Sequence, residues 1–129
     1  MGYANTTHPH VYGLGLIDFT AAKTYTIKGP KGKVGRVRDI FAVVDTVFTN
    51  VSTSGHFKLG VSGTDGKYAD LDMLATAAGA NLTASKDQAA ALVAAQELPA
   101  DTDVQIKIVP PTGGSPTGKA FMAVAIDWY

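Results

Sequence analysis

The chain contains no cysteine, which excludes a disulfide scaffold, a thiolate metal site and a thiol nucleophile. It has no excess of charge either, with 11 Lys and Arg against 11 Asp and Glu. No global field therefore draws it toward nucleic acid or an anionic membrane. No apolar run approaches the ~20 residues that span a bilayer. Residues 1–10 lack a basic stretch followed by an apolar one and do not read as a secretory signal. The expectation is a soluble protein made in a cytoplasm. No repeat of fixed period and no linker divides the 129 residues, a length suited to one domain that buries roughly two-thirds of its unfolded surface.

What is present favours strands and turns: 14 glycines, 6 prolines and many Thr and Val. The clearest pattern lies at the end of the chain. Val104, Ile106 and Ile108 alternate with polar residues, a loop of Pro, Gly, Ser and Thr follows, and Met122, Val124, Ile126 and Trp128 repeat the two-residue period. Two strands joined by such a loop make a hairpin, with Trp128 tying the terminus into the core. Upstream, residues 11–19 form a strand in which Gly13 and Gly15 mark a bulge or a close backbone approach. Residues 23–28 form another, with Tyr25 and Ile27 on one face, and Gly29 to Lys33 is a turn. Residues 34–48 are the longest β-type run. Their middle, residues 40–44, is apolar on both faces, which predicts a central strand covered on two sides. In residues 56–61, Phe57, Leu59 and Val61 point inward while His56, Lys58 and Gly60 point outward.

Two stretches read either way. Residues 70–75 fit a short helical turn or part of an edge strand. Residues 85–95 have helix propensity, with Ser85 or Asp87 available as N-cap, yet Leu92-Val93 before Leu98-Pro99 also fits a strand and turn. The polar residues 1–10, with His8-Pro9-His10 favouring extended backbone, read as an N-terminal arm. Residues 11–129 read as a single all-β domain: an antiparallel two-sheet β-sandwich, jelly-roll-like, with at most one short helix.

Candidate chemical sites are sparse. Lys28, Lys31, Lys33, Arg36 and Arg38 surround Gly29, Gly32 and Gly35. A phosphate loop would feed a helix and place Ser or Thr after its lysine, whereas this turn feeds a β run. The cluster reads as a solvated turn that blunts an edge, or as a patch meeting an acidic protein surface. His8, His10 and His56 do not make a metal set, because His56 is distant in sequence and no nearby carboxylate completes one. Asp65, Asp70 and Asp72 cluster around Gly66 and Tyr68 but lack the spacing of a calcium loop. Asp18, Asp39, Asp45 and Asp127 lie in or beside β runs, where Arg36 or Arg38 can pair with them. No nucleophile elbow or paired-histidine motif is present. No enzyme activity and no cofactor is expected.

The block Leu98-Pro99-Ala100-Asp101-Thr102, the loop Pro111-Thr112-Gly113-Gly114-Ser115-Pro116-Thr117-Gly118 and the ending Ala125-Ile126-Asp127-Trp128-Tyr129 resemble small virion proteins of tailed bacteriophages, the capsid decoration or cement proteins. Residues 60–70 and 39–48 are similar to the same group. The resemblance implies a protein without catalytic residues, carried on the virion's capsid exterior, bound to the major capsid protein and assembled with itself as a dimer or trimer. It implies no direct nucleic-acid or membrane partner. On this reading the contact residues are Tyr3, His8, Pro9, His10 and Tyr12 of the arm, with Lys31, Lys33 and Arg36 of the basic turn. A carbohydrate-binding or host-adhesion module is the alternative from another class, since jelly rolls present aromatic platforms to sugars. A tail or connector component of the virion is a third reading.

Overall fold

The computed structural model describes residues 8–49, 52–74, 79–92 and 97–129, and for His8 and Pro9 the backbone alone. Its elements are β1 (His8–Asp18), β2 (Lys23–Ile27), β3 (Gly35–Thr49), β4 (His56–Val61), β5 (Thr64–Asp72), β6 (Asn81–Thr83), α1 (Ala84–Asp87), β7 (Val104–Val109) and β8 (Thr117–Trp128), with a 3-10 turn at Ala89–Ala91 before β7. The first sheet runs β1-β8-β3-β6 and the second β2-β7-β4-β5, and every pairing is antiparallel. This is the strand order of an eight-stranded jelly roll, in which the chain crosses repeatedly between two layers. The all-β sandwich expected from the alternation is the fold observed.

The inner faces close on one apolar layer. Ile40, Ala42 and Val44 of β3 and Met122, Val124 and Ile126 of β8 meet Phe57 and Leu59 of β4 and Ile106 and Ile108 of β7, all buried. Each end of this layer is closed by aromatics set against glycine. Trp128 packs on Gly29 and Gly35, where a Cβ on Gly35 would lie 2.5 Å from the indole. Its Nε1–H donates to the Tyr12 hydroxyl at 2.9 Å, so the buried ring has its polar atom satisfied. At the other end Phe48 and Phe19 meet edge to face at 5.1 Å, with Phe48 against Gly118.

Several expectations need correction. The arm was expected to span residues 1–10, but His8, Pro9 and His10 belong to β1 and pair with Trp128, Asp127 and Ile126 of β8. Antiparallel pairing supplies the backbone partners that an isolated arm would take from water. The residues of β3 expected to be covered on both sides are covered on one. Phe41 and Val43 are 37% and 46% exposed, while Ile40, Ala42 and Val44 are buried. Of the two readings of residues 70–75, the edge strand is the one observed for residues 70–72, which form the end of β5. Of the two readings of residues 85–95, the strand is met only by an isolated bridge from Leu92 to Ala69. Val93, Ala94 and Ala95 lie outside the described residues, and the helix is confined to α1 and the 3-10 turn. It stops because Gln88 leaves helical backbone and turns its amide to both the N–H and the C=O of Asp72. Asp39 accepts the N–H and hydroxyl of Ser85. These bonds carry the β6–α1 segment from the first sheet across to β5 of the second.

Candidate functional site

Strand β8 lies between β1 and β3, so it joins segments far apart in sequence. Pro9 and Arg36 both register with Asp127, and His10 and Val37 both register with Ile126. The expected arm and basic turn therefore meet at one pole of the sandwich. Arg38 Nε donates to Asp127 Oδ2 at 3.0 Å. The other oxygen, Asp127 Oδ1, is buried and has no hydrogen-bond partner among the described residues.

The turn carrying Lys31 and Lys33 is built locally and then tied to its neighbour. Lys33 N–H donates to the Pro30 carbonyl at 3.1 Å, Gly32 N–H donates to Asp101 Oδ1 at 3.0 Å, and Lys28 lies 3.6 Å from Asp103. Lys31 is exposed and Lys33 partly so, and neither makes an ion pair among the described residues. Tyr129 closes the pole. Its backbone exchanges two hydrogen bonds with Val34 and its hydroxyl donates to Glu97 Oε2 at 2.6 Å. That bond, helped by partial burial and the Glu97 charge, raises the phenol above its ordinary pKa, while Arg36 pulls the other way.

The sequence-derived contact residues divide accordingly. His10 is exposed and stacks on Tyr12 with ring centroids 5.2 Å apart. Tyr12 is half-buried, and its hydroxyl is the acceptor for Trp128, which gives it a part in closing the core. Tyr3 lies outside the described residues. Lys31, Lys33 and Arg36 stand at the same pole as His10 and as the backbone of His8 and Pro9.

The outer faces of the two sheets differ. On the second sheet the register aligns Asp70, Lys58 and Lys107, and beside them Asp72, His56 and Val109. His56 Nδ1 is 2.7 Å from Asp70, Lys58 Nζ is 3.8 Å from it and Lys107 Nζ is 2.9 Å from Asp65. The carboxylates that suggested a cation loop are thus engaged by basic side chains, with Asp70 and Asp72 sharing His56 and Asp65 on Lys107, and no group of three metal-ligating side chains forms among the described residues.

On the first sheet the register aligns Leu16, Phe121 and Val43, then Gly13, Ala123 and Phe41, then Val11, Ala125 and Asp39. Leu16, Phe121 and Val11 are 48%, 50% and 64% exposed. Sequence reasoning missed this face. Its signals were the doubly apolar run at residues 40–44 and the outward series Phe121, Ala123, Ala125, between inward residues that had already accounted for a strand. No pocket is found among the described residues, so the chemistry on offer is that of surfaces. No family model, curated protein or solved structure matches this chain.

Proposed function

We propose that this chain is a virion structural protein, a capsid decoration or cement protein that binds the outside of a major capsid protein shell and stabilises it. The observation that carries the reading is the register at β8, which sets His10 and Arg36 on either side of one strand end, beside a turn whose Lys31 and Lys33 make no ion pair among the described residues. A pole with unneutralised cations and an N-terminal segment leading into it suits attachment to an acidic neighbouring protein. The jelly-roll order adds support by analogy, since virion subunits commonly use it, although fold alone does not specify function. The carbohydrate-binding alternative has less behind it. Tyr68 is buried in the core, Tyr12 serves Trp128 and Tyr129 is engaged by Glu97.

The test is binding to undecorated shells of the particle that carries this chain. Deleting residues 1–7 leaves β1 whole, and Lys31→Ala, Lys33→Ala and Arg36→Ala together remove the three cations of the pole that make no ion pair among the described residues, leaving Lys28 and Arg38. Both changes are expected to lower occupancy, and the triple substitution is expected to flatten its salt dependence as well. Full occupancy and unchanged shell heat stability with both changes combined would overturn the attachment pole, and no binding of the unaltered chain would overturn the function.

A further inference from the structure

The apolar face of the first sheet is bounded along its strands by charge. At one end stand Arg36, Arg38 and Asp127, and at the other Asp45, Lys119 and Asp18. Between them lie Phe41, Val43, Phe121, Leu16 and Val11, with the small residues Gly13, Ala123 and the already buried Ala125; Asp39, in the Ala125 row, is buried and held by Ser85. An apolar centre with a charged margin is the anatomy of a protein interface, and exposed apolar surface of this continuity marks an interaction site. We propose that the occupant is a second copy of this chain, packed face to face about a two-fold axis that crosses the strands at Ala123.

Charge and shape choose that axis. A two-fold along β8 would set Asp127 over Asp127 and Lys119 over Lys119, two like-charge contacts. An axis across the strands keeps each strand over its own copy and reverses its direction. Lys119 then faces the second copy's Asp127, and Arg36 and Arg38 face its Asp45. Lys119 makes no ion pair of its own among the described residues. The same axis sets bulky Phe121 over the second copy's small Ala125, and Leu16 over its Val11. Such a self-complementary patch closes as a dimer and does not propagate. Packed sheets favour this near-aligned arrangement at a spacing of ~10 Å.

The area fits a dimer that exchanges. β1, β8 and β3 span about 14 Å at ~4.8 Å per strand over a shared length of about 30 Å, and β6, three residues long, adds a strip of about 10 Å. Two copies would bury roughly 1,000 Å², at the low end for a specific interface, so association is expected at roughly micromolar concentrations or above. The attachment poles of the two copies then point apart, and one dimer would span two shell subunits. The association itself does not depend on the shell.

Sedimentation of the full chain over a dilution series is the first readout, with a dimer expected. Because the chain has no cysteine, single thiols report the axis. Ala123→Cys is expected to give a covalent dimer with a thiol cross-linker of about 10 Å reach, matched to the sheet spacing. Lys119→Cys is not, because its copy lies at the far end of the face. Phe121→Lys is expected to weaken association at least about tenfold, with circular dichroism checking the fold. A monomer at all concentrations, or cross-linking through Lys119→Cys instead of Ala123→Cys, would overturn the proposal. So would undiminished association of folded Phe121→Lys. Should that variant misfold, the Ala123→Cys result decides. Failure to bind shells with the dimer intact would sink only the shell reading.

Discussion

The two sheets of this sandwich turn the same inner surface to each other and opposite kinds of surface outward. On the outer face of β4, β5 and β7, each of Asp65 and Asp70 has a cation within 4 Å. On the outer face of β1, β8 and β3, Leu16, Phe121 and Val43 form an apolar row that no element among the described residues covers. Ion pairs in water contribute little to stability, but they keep a sheet face solvated and discourage association. Uncovered apolar rows contribute little to the monomer either, yet gain free energy when another surface covers them. The fold supplies both layers, and their outward residues assign one to solvent and the other to a partner.

The sharpest separation of inside from outside compares like residues. Phe57→Ala removes a ring buried between the sheets and is expected to cost about 3–5 kcal/mol. Phe121→Ala, on the open face, is expected to cost less than about 1 kcal/mol in the monomer while measurably weakening self-association. Urea denaturation beside sedimentation reads both, and a large monomer cost for Phe121→Ala would erase the distinction.

Glycines extend the same contrast. Gly35→Ala drives a methyl into Trp128 and is expected to cost about 1–3 kcal/mol by overpacking. Gly13→Ala meets nothing within 4 Å and is expected to leave thermal unfolding nearly unchanged. Equal shifts in the two melting temperatures would contradict the assignment of faces.

On the charged face, Asp70→Asn removes the shared partner of His56 and Lys58. A loss of at most about 1 kcal/mol is expected, smaller still at high salt. A salt-insensitive loss of several kcal/mol would mean that this face is doing more than staying wet.

The smallest effect belongs to Asp18, at the margin of the apolar face. The Thr20 hydroxyl, then the Thr20 N–H, hold its carboxyl below the ordinary value of 3.8, with a lesser contribution from Lys119. A depressed folded pKa gives stability that is present above the unfolded value and lost as pH falls through the folded one. Thr20→Val should therefore move the Asp18 titration upward and slightly reduce stability only above that acid window, as NMR titration would show. An unmoved titration would remove the hydroxyl from the explanation.

Much of this fold was legible in the residues. Alternation at residues 56–61, 104–109 and 120–128 located strands and their inward sides, and Trp128 marked the anchored terminus. The strand order was not, because β8 pairs with β1 and β3 through contacts that no local pattern encodes. The ambiguous stretch at residues 85–95 was decided by Gln88 reaching Asp72, a tertiary contact that overrides alanine's helix propensity. Residues 40–44 misled for a more useful reason. Hydrophobicity on both sides of a strand reports that both sides avoid water, without saying whether the cover comes from the same chain. Of the candidate site, the residue types at the pole were readable, but their meeting across β8 was not, and the apolar face went unnoticed.

The outward apolar face as the place where copies meet is tested most directly by methyl NMR spectra recorded over a dilution series. The expected result is concentration-dependent shifts at Val11, Leu16, Val43, Ala123 and Ala125, with Val109 on the opposite face unchanged. Spectra that do not move with concentration, or that move at Val109 and not at Val43 and Ala123, would contradict it.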